Sequence, residues 1–315
     1  MVSKTTYQKI ALVAVLVVCI LVIVYILVGI TPPPDPNQDR IAFIVASSFP
    51  GLSGLFLHND IYVTNVDSPG RAHIIRQPKV GTLAWLPQGD RIAYFNYRSN
   101  SLYAISTSNP AQPELLRQGI YMLHITWSPD GTKLAYSEGG GKIYIIDLFT
   151  GQEILLLGDT VKGTQPAWSP SGSKVAFTLN PYSNSPASSI AVVNTDGSNL
   201  IQLTPDDRSR FPTWSPDGSR IAFQREGNIY VMDADGSNVR PVVRDGKSYT
   251  PNWSPDGSRL AFVSAANQKC GISIADGPRF CTNELRVVNI DGSNMVVVRG
   301  RANESYSSPA WAPRN

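Results

Sequence analysis

The chain is poor in the side chains that most enzymes draw on for chemistry. Its 315 residues include three His, three Cys and four Met. A His-based metal site needs several convergent ligands. His58, His73 and His124 fall in three different settings, so they read as separate surface or packing residues. No Gly-x-Ser-x-Gly elbow, phosphate-binding loop or His-Glu-x-x-His pair occurs. Neither a catalytic residue, a metal nor a cofactor is expected. Charge is scarce too, at 16% of residues with a net +3, which gives no electrostatic case for nucleic-acid binding. With 25 Gly and 24 Pro, about one residue in six, a long helical bundle or coiled coil is excluded. The 42% hydrophobic share is enough to fill a core and excludes broad disorder.

Charge is missing altogether from residues 10–30. That run is long enough, at 1.5 Å per helical residue, to cross a hydrocarbon core of about 30 Å. Lys4 and Lys9 precede it and Asp35 and Asp39 follow, so the positive-inside rule puts residues 1–9 in the cytoplasm and the rest outside. A cleaved signal peptide is the rival. Its apolar region is shorter, about 7–15 residues, and ends at a small-x-small site that Leu27-Val28-Gly29-Ile30 does not supply. Cys19 sits mid-segment as an apolar membrane residue. Residues 31–39 contain Pro32-Pro33-Pro34 and Pro36, an extended, semi-rigid spacer.

The rest, 40–315, is one unit repeated. Trp85, Trp127, Trp168, Trp214, Trp253 and Trp311 are all the tryptophans in the chain. Trp214-Ser215-Pro216-Asp217-Gly218-Ser219-Arg220-Ile221-Ala222-Phe223 shows the frame, and Trp127 and Trp253 repeat it closely. Trp168 has Ser171 in place of the Asp, and Trp85 is followed by the looser Leu86-Pro87-Gln88-Gly89. Pro presets φ in such a turn and Gly accepts the left-handed conformation. A strand ending in Trp should therefore turn into a strand carrying Ile-Ala-Phe. A third strand such as Ile229-Tyr230-Val231-Met232, an Asp-Gly hairpin and a fourth strand complete an antiparallel blade. Arg/Lys-x-Ala-Phe/Tyr also occurs six times, ending at Phe43, Tyr94, Tyr136, Phe177, Phe223 and Phe262. The first copy has no Trp strand before it, and Trp311 has no such strand after it. Joined, they complete a sixth blade, which predicts an all-β, six-bladed propeller of four-stranded blades closed between its N- and C-terminal strands.

This repeat resembles the WD40-like repeat of the TolB-type β-propellers, a class that also occurs in the propellers of prolyl-oligopeptidase-type peptidases. The resemblance covers 40–315 and implies the fold. TolB carries an α/β domain ahead of its propeller, where this sequence has the apolar segment and spacer. The peptidases add an α/β-hydrolase domain. One fold hosts many activities.

The repeated features read as structure. The turn aspartates (Asp130, Asp217, Asp256, Asp196, Asp235, Asp291) do not complete a calcium loop and should bond their own backbones. Each Trp should fill the gap between neighbouring blades rather than form a stacking platform, an aromatic burial worth about 2–3 kcal/mol. Cys270 and Cys281 lie in a long insertion, and outside the cytoplasm they are expected to form a disulfide. Three insertions, 46–59, 179–188 and 264–284, all fall between second and third strands, and so on one face of the ring. That face also receives the innermost strands, and loops on a rigid scaffold are where binding concentrates. Counting back from each Trp gives the expected lining of the channel mouth: His124, Gln165, Arg210, Phe211, Tyr249 and Tyr306, with Lys247 and Thr250 nearby. One cation, one imidazole and several aromatics suit a peptide end or a small polar ligand.

The expectation is a single-pass, N-in/C-out membrane protein whose propeller, in a periplasm or the extracellular space, binds a protein or peptide partner without catalysis. A lyase or hydrolase at the channel mouth is the alternative; it would need carboxylates there, and Asp206, Asp207 and Glu304 are the few candidates. A non-catalytic subunit of a peptidase is a further alternative.

Overall fold

The computed structural model describes residues 39–47, 58–66, 73–75, 79–158, 160–179, 188–205, 208–267, 282–300 and 304–313. The chain divides into two compact units, 1–38 and 39–315, and all described residues belong to the second. The expected membrane helix at 10–30, nearly all of the spacer, and Cys270 and Cys281 lie outside the described residues. Among the described residues no helix is long and apolar enough to cross a membrane.

The described strands form six antiparallel sheets of four, a six-bladed propeller. Blade 1 joins the chain ends: Glu304–Trp311 is its innermost strand, followed outward by Arg40–Ser47, His58–Asn65 and His73–Ile75. Blades 2 to 6 are continuous in sequence, over 80–118, 124–155, 163–202, 209–243 and 248–299. Each begins with its innermost strand, and that strand ends on a tryptophan. Closure across the termini is a ladder in which Ile41 pairs with Trp311 and Ser47 with Glu304.

The turn after each Trp is built from its own side chains. In blade 3 the Gly131 N–H donates to the Ser128 carbonyl, with Gly131 at φ +71°. The Asp130 carboxylate accepts from the Ser128 hydroxyl (2.6 Å), the Thr132 N–H and the Thr132 hydroxyl. Asp217 and Asp256 repeat this arrangement with Ser219 and Ser258. Asp196, Asp235 and Asp291 do the same in the outer hairpins, each accepting from a serine two residues on.

The core is divided among the seams. Six apolar clusters are present, one between each pair of adjacent blades. A second strand is therefore buried on both faces. In Arg40–Ser47 the side chains of Ile41, Phe43 and Val45 pack toward blade 6, and those of Ala42 and Ile44 toward blade 2. The small Ala always faces the following blade, where that blade's Trp arrives: Ala42 with Trp85, Ala135 with Trp168, Ala176 with Trp214, Ala222 with Trp253, Ala261 with Trp311. Small against large across a packed interface is what lets the blades interdigitate at native density.

Hydrogen bonds cross the same seams. The indole N–H groups of Trp85, Trp214 and Trp253 donate to the carbonyls of Ala310, Ala167 and Thr213 on the preceding blades, at 2.9, 3.2 and 3.1 Å. Arg40, Arg220 and Arg259 lay their guanidinium groups over Trp85, Trp253 and Trp311 of the next blade, 4.9 to 5.2 Å from the ring centres. Arg259 also pairs with Asp39, tying blade 6 to the first described residue.

Ala222→Leu should overfill the seam between blades 5 and 6 and cost about 1–3 kcal/mol in urea unfolding. Trp253→Phe should cost about 1 kcal/mol, mainly the lost bond to Thr213. The turn aspartates make an acid limit. Hydrogen bonds from the Ser215 and Ser219 hydroxyls and the Ser219 N–H hold Asp217 at about 2, below its unfolded value. The resulting stability is present above about pH 4 and lost as pH falls toward 2. Asp217→Asn should flatten the urea midpoint over that window; an unchanged slope would mean the turn bonds carry no stability.

Candidate functional site

One face of the ring holds both the starts of the innermost strands and the ends where insertions emerge. Gly163 pairs with Leu179 and Leu179 with Ser189; Ser248 pairs with Ser264 and Ser264 with Glu284; Glu304 pairs with Ser47 and Ser47 with His58. The connections 46–59, 179–188 and 264–284 thus open on the mouth face, although their central residues lie outside the described set.

A channel of about 600 Å³ runs along the ring axis, lined from within the innermost strands past the tryptophans to Pro87, Pro129, Pro216, Pro255 and Pro313 just beyond them. Pro166, Pro212, Pro251 and Pro309 line its wall with the six Trp and a few neutral polar groups such as Thr126, Thr213 and Asn252. Among the described residues that line it there is no Asp, Glu, Lys or Arg.

Proline shapes this wall. In four innermost strands the residue before it is in the left-handed region: Gln165 (φ 57°), Phe211 (φ 55°), Thr250 (φ 52°) and Ser308 (φ 51°). At each, two residues of the inner strand oppose one of its partner. Thr164 pairs with Thr178 but Ala167 with Ala176, and Arg210 with Gln224 but Thr213 with Ala222. Proline has no N–H for the ladder, and a bulge is where a strand accepts it. The bulge re-aims the preceding side chain, so Gln165, Phe211 and Thr250 reach the channel. The Phe211 N–H is satisfied across the seam by Gln165 Oε1 (3.1 Å) and Thr178 Oγ1 (3.2 Å).

The inner strand of blade 3 lacks this Pro and pairs regularly, His124 with Ser137 and Trp127 with Leu134. His124 Nδ1 lies 3.2 Å from the Ser137 hydroxyl and 3.3 Å from the Thr164 hydroxyl. The Phe211 ring meets it edge-on at 6.5 Å. Burial pushes the imidazole pKa down to about 4, so His124 is neutral at physiological pH. Ser137 is fully buried, and no carboxylate completes the pair, so this contact is not a nucleophile–base arrangement.

Of the residues expected at the mouth, His124, Gln165, Phe211 and Thr250 share the channel. The side chains of Arg210, Tyr249 and Tyr306 are engaged elsewhere. Arg210 Nε donates to Ser188 Oγ at 3.1 Å, at the root of the 179–188 connection. Asn283, at the root of 264–284, donates to the Tyr249 hydroxyl (2.6 Å) and the Tyr306 carbonyl (3.0 Å). The Tyr306 ring is buried in the seam between blades 6 and 1. Lys247 lies exposed in the turn entering blade 6. Asp206 and Asp207 fall outside the described residues, as does the Glu304 side chain.

An aromatic pair on the same face escapes the repeat frame. Tyr97 and Tyr121, 38% and 45% exposed, hold their rings 5.8 Å apart above the buried Phe95. Gly81 makes room for them, since a Cβ there would fall 1.9 Å from the Tyr97 ring. The signal available in sequence was an aromatic one residue past each end of the repeat frame, next to Asn96 and Met122.

Residues 91–283 match the family model described as the TolB beta propeller domain. TolB from Acinetobacter baumannii superposes with a TM-score of 0.68 at 19% identity, over 92% of this chain and 70% of that one. A protein assigned as TolB from Agrobacterium tumefaciens gives 0.62 at 18% identity, over 88% and 99%. One chain of a nidogen/laminin complex gives 0.68 at 11% identity, over 88% and 99%. At these identities the structural likenesses establish the fold.

The half-buried His124 sets a pH dependence of its own. Its folded pKa lies below the unfolded value of about 6.5, so protonation favours unfolding. Stability should be complete above about pH 6.5 and decline as pH falls toward 4. In His124→Gln, urea midpoints should vary less across that interval; an identical profile would show that His124 titrates freely.

Proposed function

Because the chain belongs to the TolB beta propeller domain family, we propose that it is a non-catalytic binding module that holds a protein or peptide partner at the channel mouth. In this reading the uncharged segment at 10–30 tethers the propeller to a membrane, with the ring on the extracytoplasmic side.

The observation that carries the binding role is the channel's chemistry. Among the described residues its lining has no ionised side chain, and the titratable ring there, His124, stays neutral. General acid–base catalysis needs groups that exchange protons near working pH. A neutral wall of proline, tryptophan and hydroxyls instead suits an uncharged stretch of chain, held by shape and by a few hydrogen bonds. The exposed Tyr97–Tyr121 pair adds rigid aromatic area beside the opening, the residue type that dominates binding energy at interfaces. A lyase or hydrolase reading would need an acid and a base facing each other across the mouth, and among the described residues the channel lining holds no such pair.

The test is affinity capture from detergent-solubilised membranes with the full chain, comparing the wild type with Phe211→Ala and with Tyr97→Ala/Tyr121→Ala. A partner that cross-links at the mouth face should be recovered with the wild type and reduced about tenfold or more with either variant. Equal recovery in all three samples would remove the mouth face as the binding surface.

A further inference from the structure

The six seams share one plan with local variations, and the seam between blades 3 and 4 gathers several of these in one place. Trp85, Trp214 and Trp253 each donate to the preceding blade. By that pattern Trp168 would donate to the Thr126 carbonyl. It donates instead within its own turn, to the Gly172 carbonyl at 3.0 Å. Lys133 stands where Arg40, Arg220 and Arg259 cover the next tryptophan, and an ammonium does not stack as a planar guanidinium does. Ser171 replaces the turn aspartate, its hydroxyl bonded to those of Ser169 and Ser173. Three departures meet at one place.

Where they meet, a cavity of about 310 Å³ opens on the face opposite the mouth. Pro129, Ile145, Ile154 and Trp168 give it apolar walls. Ile154 is 50% exposed, and Phe149, in the adjoining hairpin of blade 3, is 97% exposed. Carboxylates line or neighbour this patch in sequence. Asp130 lines the cavity, Asp147 and Glu153 flank the Phe149 hairpin, and Asp196 follows the lining residue Thr195. Lys133 is the cation of the rim, and Arg117 approaches from the blade 2 side, against Gly151.

We propose that this seam is a second binding site, which takes an apolar side chain of a partner peptide flanked by basic residues. The cavity is at the small end of the range for ligand sites, about 300–1,000 Å³. It offers an indole face and branched aliphatics to a single inserted side chain. The surrounding carboxylates, which outnumber the cations, choose positively charged neighbours and steer their approach. The site shares no lining residue with the channel apart from Ser128, Pro129 and Trp168, which lie between the two cavities.

Fluorescence polarisation with the full chain in detergent tests this, using fluorescein-labelled Gly-Arg-Trp-Arg-Gly. The acidic version with Glu for Arg and the version with Gly for Trp serve as controls. The basic Trp peptide should bind at least roughly tenfold more tightly than either control, and more weakly as salt rises. Ile154→Arg and, independently, the exposed-turn variant Ser171→Arg should each weaken it by about tenfold or more. Phe211→Ala, in the channel, should leave it unchanged, which separates this site from the mouth. The proposal is overturned if the peptide does not bind or if the control lacking Trp binds equally. It is also overturned if both folded seam variants retain full affinity, or if Phe211→Ala removes binding.

Discussion

Around the ring, a tryptophan from one blade arrives against an alanine of the blade before it. Everything else in the propeller is arranged so that this contact can be made. The alanine sits on the second strand, whose other face carries Ile, Leu or Val and an aromatic ring, so each blade is thin toward one neighbour and thick toward the other. The tryptophan ends the innermost strand, which brings it to the seam just where the Ser-Pro-Asp-Gly turn begins. No residue belongs to a central core, because the centre is the channel. Stability is instead a sum of seam terms, as in other repeat proteins. Here the array has no end caps, since the last seam meets the first through the paired strands Glu304–Trp311 and Arg40–Ser47.

Putting the apolar mass in the seams leaves the channel wall to backbone and small side chains. Proline two residues before the tryptophan then has a structural cost and a geometric result. It forces a bulge and a left-handed residue in each of four inner strands, and β-branched Thr250 is an uncommon occupant of that region. Such strain persists only where surrounding structure overdetermines it. The seam does so through contacts such as the Phe211 N–H held by Gln165 and Thr178. The outcome is a wall of rings, amides and hydroxyls, with no charged side chain among the described lining residues.

Much of this was legible from sequence because the repeat advertises itself. Six tryptophans in one frame and six copies of Arg/Lys-x-Ala-Phe/Tyr set the blade number, and the unmatched ends at Arg40 and Trp311 implied the closure. The mouth was harder to read. Counting back three to five residues from each Trp treats the inner strand as regular. The bulges at Gln165, Phe211 and Thr250 change which side chain turns inward, so Arg210 and Tyr249 are spent at loop roots while their successors face the channel. Tyr97 and Tyr121 escaped notice because each belongs to a loop outside the repeat, and only the fold brings two such loops together. The seam at Trp168 was visible as Ser171, but a one-residue departure in a turn says nothing of an indole that changes its hydrogen-bond partner.

The closing strand also sets an order of events. Ile41 pairs with Trp311, 270 positions later in the chain. During synthesis Arg40–Ser47 emerges early and has no inner neighbour until the last residues of the ring have been made. Blades 2 to 6 can each complete their four strands as they appear, since every pairing within them is local. Blade 1 meanwhile waits with an open edge. The long-range pairing is the slow kind, because loop-closure entropy must be met before the contact rewards it. Once Arg299 has been made, five blades have all their strands and blade 1 still has three; pairing of Glu304–Trp311 with Arg40–Ser47 then supplies the fourth.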